Sequence, residues 1–432
     1  MPSNAELLER RKKYVPQGVG IFNTATAVSA KGSTVIDAEG RELIDFAGGI
    51  GVLNSGHCPE PVVKAIQDQA SKLIHTCFNV ATYDIYMDLA QELCELFPHG
   101  DATKVMLTTT GAESVENAIK IARQYTKRKA VIAFTDGFHG RSMMAMTLTS
   151  KASYKFNCGP FAPEVYRIQY PNYYRYNDGL SREKFIERET KRLRESLINV
   201  VDPNNVAAVI IELVQGEGGF VAAPIEYIKE LRKVCDEFGI LLIFDEVQTG
   251  FGRTGKWAAF HHYGVTPDLS TWAKSMGGGM PIGCVMGRAE VMDGAAPGTI
   301  GGTYLGNPVC VAASLANIRY MKEIDINKKA EHVGGIIRKR FEEMKEKHPV
   351  IGEVRGVGAM LAIALVKNGN PWEPEEQLCR QVIDACSERG LILLSAGTYK
   401  NIIRILSPLI ISDELLNKGL DILDEEMTRL SQ

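Results

Sequence analysis

The chain has 432 residues, of which 45% are hydrophobic and 23% charged, a composition that excludes disordered, collagen-like and low-complexity proteins. Its 49 Lys and Arg residues nearly balance its 52 Asp and Glu residues, so the formal charge of -3 gives no electrostatic support for nucleic-acid binding. No apolar stretch approaches the roughly 18 residues of a membrane-spanning helix, and the nine cysteines form no C-x-x-C pair. We therefore expect a cytoplasmic protein with reduced thiols, without a metal site and without nucleic-acid or membrane partners.

The N-terminal segment, residues 1–58, contains a β pattern. Apolar and polar residues alternate from Thr34, and Glu39-Gly40 marks a turn, which predicts a hairpin. From about residue 60, helical patterns alternate with short apolar runs. The helical patterns cover 61–73, 86–96, 113–125 and 227–238, and the apolar runs cover 104–107, 130–134, 207–212 and 240–244. This alternation predicts an α/β fold whose mostly parallel sheet is covered by helices on both faces.

The C-terminal part has a higher charge density. Residues 322–347 predict one long amphipathic helix, and strand-like runs follow at 358–366, 391–394 and 402–406. This α+β tail could form one small domain with the N-terminal β region. We therefore predict a large domain at 59–325 and a small domain built from 1–58 and 326–432.

Ligands of open α/β sheets bind where the strands end, and two strand ends carry groups suited to anions. After the first apolar run, Thr110-Gly111-Ala112 opens a helix whose free N–H groups could bind a phosphate, although an ordinary capped helix fits equally well. After the second, Phe138 could cover a planar ring and Arg141 could bind a carboxylate. Taken singly, a loop arginine is more often a solvated surface residue.

A third strand, LLIF, ends in Asp245-Glu246. The glycines of the following GFGRTGK segment partly match nucleotide-binding motifs, but Trp257 stands where the phosphate-binding loop needs Ser or Thr. An ionised Asp245 at the end of an apolar strand instead implies a buried positive partner, and a protonated pyridine nitrogen would serve.

The fourth strand end carries Lys274, the only lysine between Lys256 and Lys322. Its neighbours are small or apolar, a setting that lowers the pKa of an amine and suits it to form a Schiff base. The alternative is a lysine that extends its charge to the surface.

Together these motifs resemble the class III aminotransferases, which use pyridoxal phosphate on the aspartate-aminotransferase fold (fold type I). The resemblance covers essentially the whole chain, and within the class the sequence is similar to bacterial 4-aminobutyrate aminotransferases. It rests on the segments TTTGAESVENAIK, GFHGR, VQGEGGF, FDEVQTGFGRTG, AKSMGGGMP, GGTYLGNPV and GLILLSAGTYKNIIRILSPL.

The resemblance implies a complete cofactor site. Lys274 would hold pyridoxal phosphate as a Schiff base and move a proton, and Asp245 would bind the pyridine nitrogen. Gln248 would meet the phenolic oxygen, with Val247 and Phe138 on opposite ring faces; relatives often have Tyr at the position of Phe138. The cradle Thr110, Gly111 and Ala112 would bind the phosphate, completed by Thr303 of a neighbouring subunit, which implies a homodimer with shared active sites and possibly a tetramer.

The resemblance also implies how substrates are chosen. Arg141 would bind the distal carboxylate of an ω-amino acid, with Ile50 beside it, and Arg404 would bind the α-carboxylate of glutamate or 2-oxoglutarate. Glu217 would pair with Arg404 whenever the substrate has no α-carboxylate. Glu212 would support the part of the site that Arg404 and Glu217 form.

The resulting expectation is transfer of the amino group of 4-aminobutyrate, or a close homologue, to 2-oxoglutarate, giving succinate semialdehyde and glutamate. Three alternatives stay open. The preferred donor could be 5-aminovalerate, β-alanine or another ω-amine; the chain could be an amino-acid racemase of the same fold; or it could bind a nucleotide through GFGRTGK.

Overall fold

The computed structural model describes residues 2–431, and its N-terminal part contains the predicted hairpin. The elements are α1 (Asn4–Tyr14), β1 (Ala27–Lys31), β2 (Thr34–Asp37), β3 (Glu42–Asp45) and a single turn, α2 (Gly48–Gly51). Strands β2 and β3 pair antiparallel with Val35 opposite Leu43, which confirms the hairpin. All four residues of α2 have positive φ, including Ile50 at 67°. A β-branched residue in this region is strained, so surrounding contacts must hold the turn in place.

The central part of the chain builds a seven-stranded sheet. Its elements are α3 (Glu60–Ala70), α4 (Asp84–Leu96), β4 (Thr103–Thr108), α5 (Gly111–Thr126), β5 (Ala130–Phe134), α6 (Met143–Leu148), β6 (Val165–Ile168), α7 (Tyr173–Tyr176), α8 (Arg182–Asn199), β7 (Val206–Ile211), α9 (Ile225–Phe238), β8 (Leu241–Asp245), β9 (Leu269–Trp272), β10 (Gly283–Arg288), α10 (Ala289–Met292) and α11 (Pro308–Glu323). The strand order is β4-β10-β9-β8-β7-β5-β6. Only β10 runs antiparallel to its neighbours, so the prediction of a mostly parallel sheet is confirmed.

Strands β5, β7 and β8 are buried along their whole length because helices cover both faces of the sheet. Helix α5 packs across β9 and β10, whereas α9 packs on β8 beside α8. Since β4 and β5 to β9 all point the same way, the loops that follow them meet at one edge of the sheet.

The C-terminal part adds a second, antiparallel sheet. Its elements are α12 (Ile326–Lys347), β11 (Ile351–Val357), β12 (Met360–Leu365), α13 (Glu376–Glu388), β13 (Leu391–Ile392), β14 (Leu394–Ala396), β15 (Ile402–Ile405) and α14 (Asp413–Leu430). The order is β11-β12-β15-β14. Strand β13 instead pairs parallel with β3, so residues near both ends of the chain share a sheet. The exact domain boundaries stay a prediction.

The long amphipathic helix predicted at 322–347 is confirmed as α12, but it begins four residues later than predicted. Helix α11 ends at Glu323 and α12 begins at Ile326. Between them Asp325 takes a left-handed conformation, with φ of 49°, and its side chain accepts a hydrogen bond from the Lys328 N–H. This side-chain cap starts a new helix and interrupts the amphipathic pattern. Strand β11 also lies outside the predicted strands.

Within residues 2–431, no helix combines the length and apolarity needed to cross a membrane. The same residues contain no cluster of three His, Cys, Asp or Glu side chains that could hold a metal ion.

Candidate active site

A cavity of about 640 Å³ opens at the edge where β4, β5, β7, β8 and β9 end. Each of the five following loops contributes to its wall. The predicted site residues that line it are Thr110, Gly111, Ala112, Phe138, Arg141, Glu217, Asp245, Val247, Gln248 and Lys274, and Glu212 lines it as well. Residues far apart in the sequence therefore meet in one place because their strands are parallel.

Lys274 lies two residues after the end of β9, is half-buried and lines this cavity. Burial lowers the pKa of its amine from 10.5 to about 8. Its φ of 48° is unusual for a residue with a side chain, and such strain is often found at functional sites. A substantial fraction of the amine is therefore neutral, and nucleophilic, slightly above neutral pH.

Asp245 ends β8 and already has a partner within the chain. His139 Nδ1 lies 2.7 Å from Asp245 Oδ2, and both side chains are almost completely buried. The Thr271 hydroxyl donates to Asp245 Oδ1 at 3.1 Å. Burial opposes a charge on His139, but its hydrogen bond to Asp245 raises the pKa of the imidazole above its ordinary value. Burial of Asp245 alone thus does not demand an external cation, and His139 fixes the direction of the carboxylate.

The start of α5 forms one wall of the cavity. Thr110 caps this helix by accepting a hydrogen bond from the Glu113 N–H, and the first N–H groups of a helix have no partner inside it. A Cβ atom on Gly111 would come within 2.9 Å of Val247 Cγ1, so only glycine lets the helix start approach the loop after β8 this closely. The positive end of the helix dipole and these N–H groups suit a phosphate.

These residues fit pyridoxal phosphate. Gln248 Oε1 is buried at the cavity with no hydrogen-bond partner among the described residues, and a buried polar atom of this kind calls for one. Lys274 offers an amine for the aldehyde, Asp245 a carboxylate for the ring nitrogen and α5 an anion site for the phosphate. The cavity thus presents a partner for each polar part of the cofactor.

Arg141 lies at the mouth of the cavity on an aromatic platform. Its guanidinium carbon is 5.0 Å from the ring centroid of Tyr154 and 5.9 Å from that of Phe138. The side chain is exposed, and the ring faces favour a cation above them. Its fork of N–H groups is therefore oriented and accessible to a carboxylate.

Arg404, in contrast, is capped by a carboxylate of the chain. Its Nη1 donates to Glu217 Oε1 at 2.6 Å, and the Arg404 side chain is only 3% exposed. Burial would raise the pKa of Glu217, but the ion pair with Arg404 lowers it below its ordinary value. A ligand carboxylate can reach this guanidinium only by replacing Glu217.

Glu212 connects the loop after β5 to the loop that carries Glu217. Its two carboxylate oxygens accept hydrogen bonds from the Phe138 N–H and the Gly216 N–H, each at 2.9 Å. Burial raises the pKa of this carboxyl to about 7. Glu212 therefore holds together the two loops that present Arg141 and Glu217.

Three predicted residues do not line this cavity, and Arg404 is one of them because Glu217, its ion-pair partner, lines the wall instead. Ile50 is half-buried in the left-handed turn α2, and its neighbour Val52 lines the wall instead. Thr303 lies in an exposed segment, where Tyr304 stacks on His75 at 5.0 Å. Their predicted roles remain predictions.

The structure contradicts a nucleotide site in GFGRTGK. Arg253 is completely buried and donates to the Ser407 carbonyl at 2.9 Å and to the side chain of Asn54. Gly252 packs against Ile326, since a Cβ atom there would come within 2.8 Å of its side chain. The glycines of this loop let other parts of the chain pack closely against it and do not form an open phosphate cradle.

Sequence reasoning gave no role to His139 or Tyr154. His139 stands in the GFHGR segment between two predicted site residues, and this position was the available signal. Tyr154 lies 13 residues beyond Arg141, in a segment with no distinctive pattern, and only its contacts identify it.

Comparisons with known proteins agree with this geometry. The family model "Aminotransferase class-III" matches residues 14–427. Over 98% of its length the chain is 45% identical to the probable 4-aminobutyrate aminotransferase of Bacillus subtilis (strain 168), covering 97% of that protein. It is 46% identical to the 5-aminovalerate aminotransferase DavT of Pseudomonas putida, with 98% of each protein covered. The solved structure of taurine:2-oxoglutarate aminotransferase from Bifidobacterium kashiwanohense, in complex with PLP and glutamate, superposes with a TM-score of 0.91 at 28% identity, covering 100% of this chain and 99% of that one.

Proposed function

The chain belongs to the class III aminotransferases, and on this premise we propose that it transfers the amino group of 4-aminobutyrate or a close ω-amino acid to 2-oxoglutarate. Succinate semialdehyde and glutamate are the products from 4-aminobutyrate. The observation that carries this proposal is a pair of arginines, of which Arg141 lines the cavity and is open, and Arg404 is buried and paired with Glu217, which lines the cavity. The relatives named 4-aminobutyrate and 5-aminovalerate aminotransferases support the same substrate class.

Bound pyridoxal phosphate supplies a protonated pyridine ring that accepts the electron pair released when the substrate loses a proton from the carbon bearing its amino group. Lys274 would hold the cofactor through its Nζ and, once the substrate amine has displaced it, would take that proton at the freed Nζ, a task for which its lowered pKa suits it. Asp245, oriented by His139, would keep the ring nitrogen protonated. Gln248 would meet the phenolic oxygen, and Val247 and Phe138 would enclose the ring.

The two arginines let one cavity accept two kinds of substrate. An ω-amino acid places its only carboxylate on Arg141 and leaves Arg404 paired with Glu217, so no buried cation is left without a partner. Glutamate and 2-oxoglutarate also carry an α-carboxylate, which replaces Glu217 on Arg404. Because both positions are anion sites, the geometry disfavours the racemase alternative, which has no need of a second carboxylate site.

We also propose that a second copy of the chain completes the site. Thr303 lies on a surface with three strongly exposed apolar side chains, Ile74, Val80 and Tyr304. The segments carrying them are in contact, because the Asn307 side chain donates to the Ile74 carbonyl at 2.9 Å and Tyr304 stacks on His75. Exposed apolar patches of this kind mark protein interfaces. A homodimer would bury this surface and bring the partner's Thr303 to the phosphate cradle, and pairing of dimers into tetramers stays open.

A single-turnover experiment tests the proposed function. The holoenzyme is mixed with 4-aminobutyrate, the change in cofactor absorbance is followed, and 2-oxoglutarate is then added. We expect 4-aminobutyrate to convert the absorbance and 2-oxoglutarate to restore it with release of glutamate. The isomer 2-aminobutyrate serves as the control donor, and Lys274→Ala serves as the control protein. A chain that converts neither substrate would contradict the proposal, and racemisation without glutamate formation would favour the alternative. The preferred donor length, including 5-aminovalerate and β-alanine, and the cytoplasmic location stay predictions.

A further inference from the structure

Tyr154 contacts Arg141 and also Glu217, the residue that caps Arg404. It is the last residue of a short 3-10 turn, Ala152–Tyr154, and is half-buried. Its ring meets the Phe138 ring edge-on, with centroids 5.1 Å apart, and the Arg141 guanidinium lies over its face. The phenol therefore forms half of the platform on which Arg141 rests.

The hydroxyl of the same residue reaches Glu217. Tyr154 Oη donates to Glu217 Oε2 at 3.4 Å, while Arg404 Nη1 donates to the other oxygen, Oε1, at 2.6 Å. The two oxygens of Glu217 are thus held by two different side chains. Because 3.4 Å is long for an O–H···O hydrogen bond, the tyrosine adds a smaller contribution than the arginine does.

The backbone of Glu217 is fixed separately from its side chain. The Gly397 N–H donates to the Glu217 carbonyl at 2.8 Å, and Lys151 Nζ donates to the Gly397 carbonyl at 3.0 Å. Replacement of Glu217 by a ligand carboxylate therefore requires its side chain to turn while the backbone stays anchored. That turn breaks the hydrogen bonds to Arg404 and to Tyr154 together.

We propose that Tyr154 is a positioning residue that favours the conformation in which Glu217 caps Arg404, and so shifts the enzyme towards ligands with one carboxylate. This inference rests on the proposed function of the two arginines. Its hydroxyl acts only when Arg404 must be uncapped, which a dicarboxylate requires and a monocarboxylate does not. Its ring acts on Arg141, which both kinds of ligand use.

Two substitutions separate these contributions. Tyr154→Phe removes the hydroxyl and keeps the ring, whereas Tyr154→Leu removes both. A matched control is Tyr166→Phe, because the Tyr166 hydroxyl also donates to a glutamate, Glu164, at 3.2 Å, and neither residue lines the cavity.

The test measures binding of two unreactive probes to the holoenzyme by isothermal titration calorimetry. Glutarate carries two carboxylates and pentanoate carries one, and neither has an amino group to transfer. For Tyr154→Phe we expect glutarate to bind about two- to fivefold more tightly, as the loss of one weak hydrogen bond to a charged group implies, with pentanoate affinity unchanged. For Tyr154→Leu we expect pentanoate to bind more weakly than to the wild type, because the ring no longer supports Arg141. Tyr166→Phe should match the wild type for both probes.

The inference is overturned if Tyr154→Phe leaves the ratio of glutarate to pentanoate affinity at its wild-type value or lowers it. Failure of the proposed function has a different signature, because the wild-type holoenzyme would then form no glutamate from any ω-amino acid. A second readout is KM for glutamate divided by KM for 4-aminobutyrate. This ratio should be lower in Tyr154→Phe than in the wild type, and the corresponding ratio of kcat values should not fall by the same factor.

Discussion

Removal of the Glu217 carboxylate should lower kcat/KM for the ω-amino acid relative to kcat/KM for glutamate. In Glu217→Ala, Arg404 loses the only carboxylate with which it forms an ion pair among residues 2–431. Its side chain is 3% exposed and its Nε already has no hydrogen-bond partner, so the guanidinium cannot easily turn to another group. The variant therefore places an uncompensated cation next to the cavity whenever the substrate lacks an α-carboxylate.

The size of the effect follows from the burial of the pair. Truncation of one partner of a buried, hydrogen-bonded charge pair costs about 2–5 kcal/mol. Glu217 is 18% exposed, so water from the cavity can partly replace it, and we take the lower end of that range, about 2 kcal/mol. Since about 1.4 kcal/mol corresponds to a factor of ten, kcat/KM for the ω-amino acid should fall about 30-fold relative to kcat/KM for glutamate.

Stopped-flow single turnovers with each substrate measure this ratio. Glu217→Gln keeps the volume and one acceptor oxygen, so its ratio should lie between those of the wild type and Glu217→Ala. Glu189→Ala is the matched control, because Glu189 is a buried carboxylate paired with Arg188 and Arg192 in α8, away from the cavity. Equal losses in both half-reactions of Glu217→Ala would refute the reasoning.

Three further predictions concern other parts of the site. Arg141→Gln should raise KM for ω-amino acids about ten- to hundredfold in steady-state assays, since a hydrogen bond to a charged group contributes about 1.5–3 kcal/mol; an unchanged KM would place the distal carboxylate elsewhere. Capture of pyridoxal phosphate by the apoprotein, followed by absorbance, should speed up as the pH rises towards 8 and then level off, because only the neutral form of Lys274, whose pKa is about 8, can react; a rate that stays flat from pH 6 to 9 would contradict this. Tyr304→Asp should dissociate the proposed dimer in sedimentation velocity, because it places a charge on the exposed apolar surface, whereas a dimeric variant would argue against that interface.

The positions of the strands and of the main cavity residues could be predicted from the sequence because each depends on local pattern. Fully apolar runs such as 240–244 form strands that are buried on both faces, and the residue after such a run reaches the sheet edge whatever the rest of the fold does. Asp245 is of this kind, and the pattern predicts where it lies without any knowledge of distant contacts. Lys274 follows a strand that contains Ser270 and Thr271, and its isolation among small and apolar residues is the signal instead.

Features that depend on contacts between distant segments could not be predicted in the same way. The pairing of His139 with Asp245 joins two loops 106 positions apart, and the contact between Tyr154 and Glu217 joins two that are 63 apart. The reversed direction of β10 and the cap at Asp325 also leave little trace in hydrophobic periodicity. A buried carboxylate such as Asp245 shows that a partner exists, but sequence alone does not say which one.

The most direct measurement of the central claim is a panel of amino donors of increasing length, each supplied with 2-oxoglutarate and assayed for glutamate. The panel consists of β-alanine, 4-aminobutyrate, 5-aminovalerate and 6-aminohexanoate, with 2-aminobutyrate as the α-amino control. We predict that kcat/KM reaches its maximum at 4-aminobutyrate or 5-aminovalerate, where the distal carboxylate reaches Arg141 while the amino group reaches the cofactor held by Lys274. Absence of glutamate with every ω-amino donor, or a preference for 2-aminobutyrate, would contradict the account.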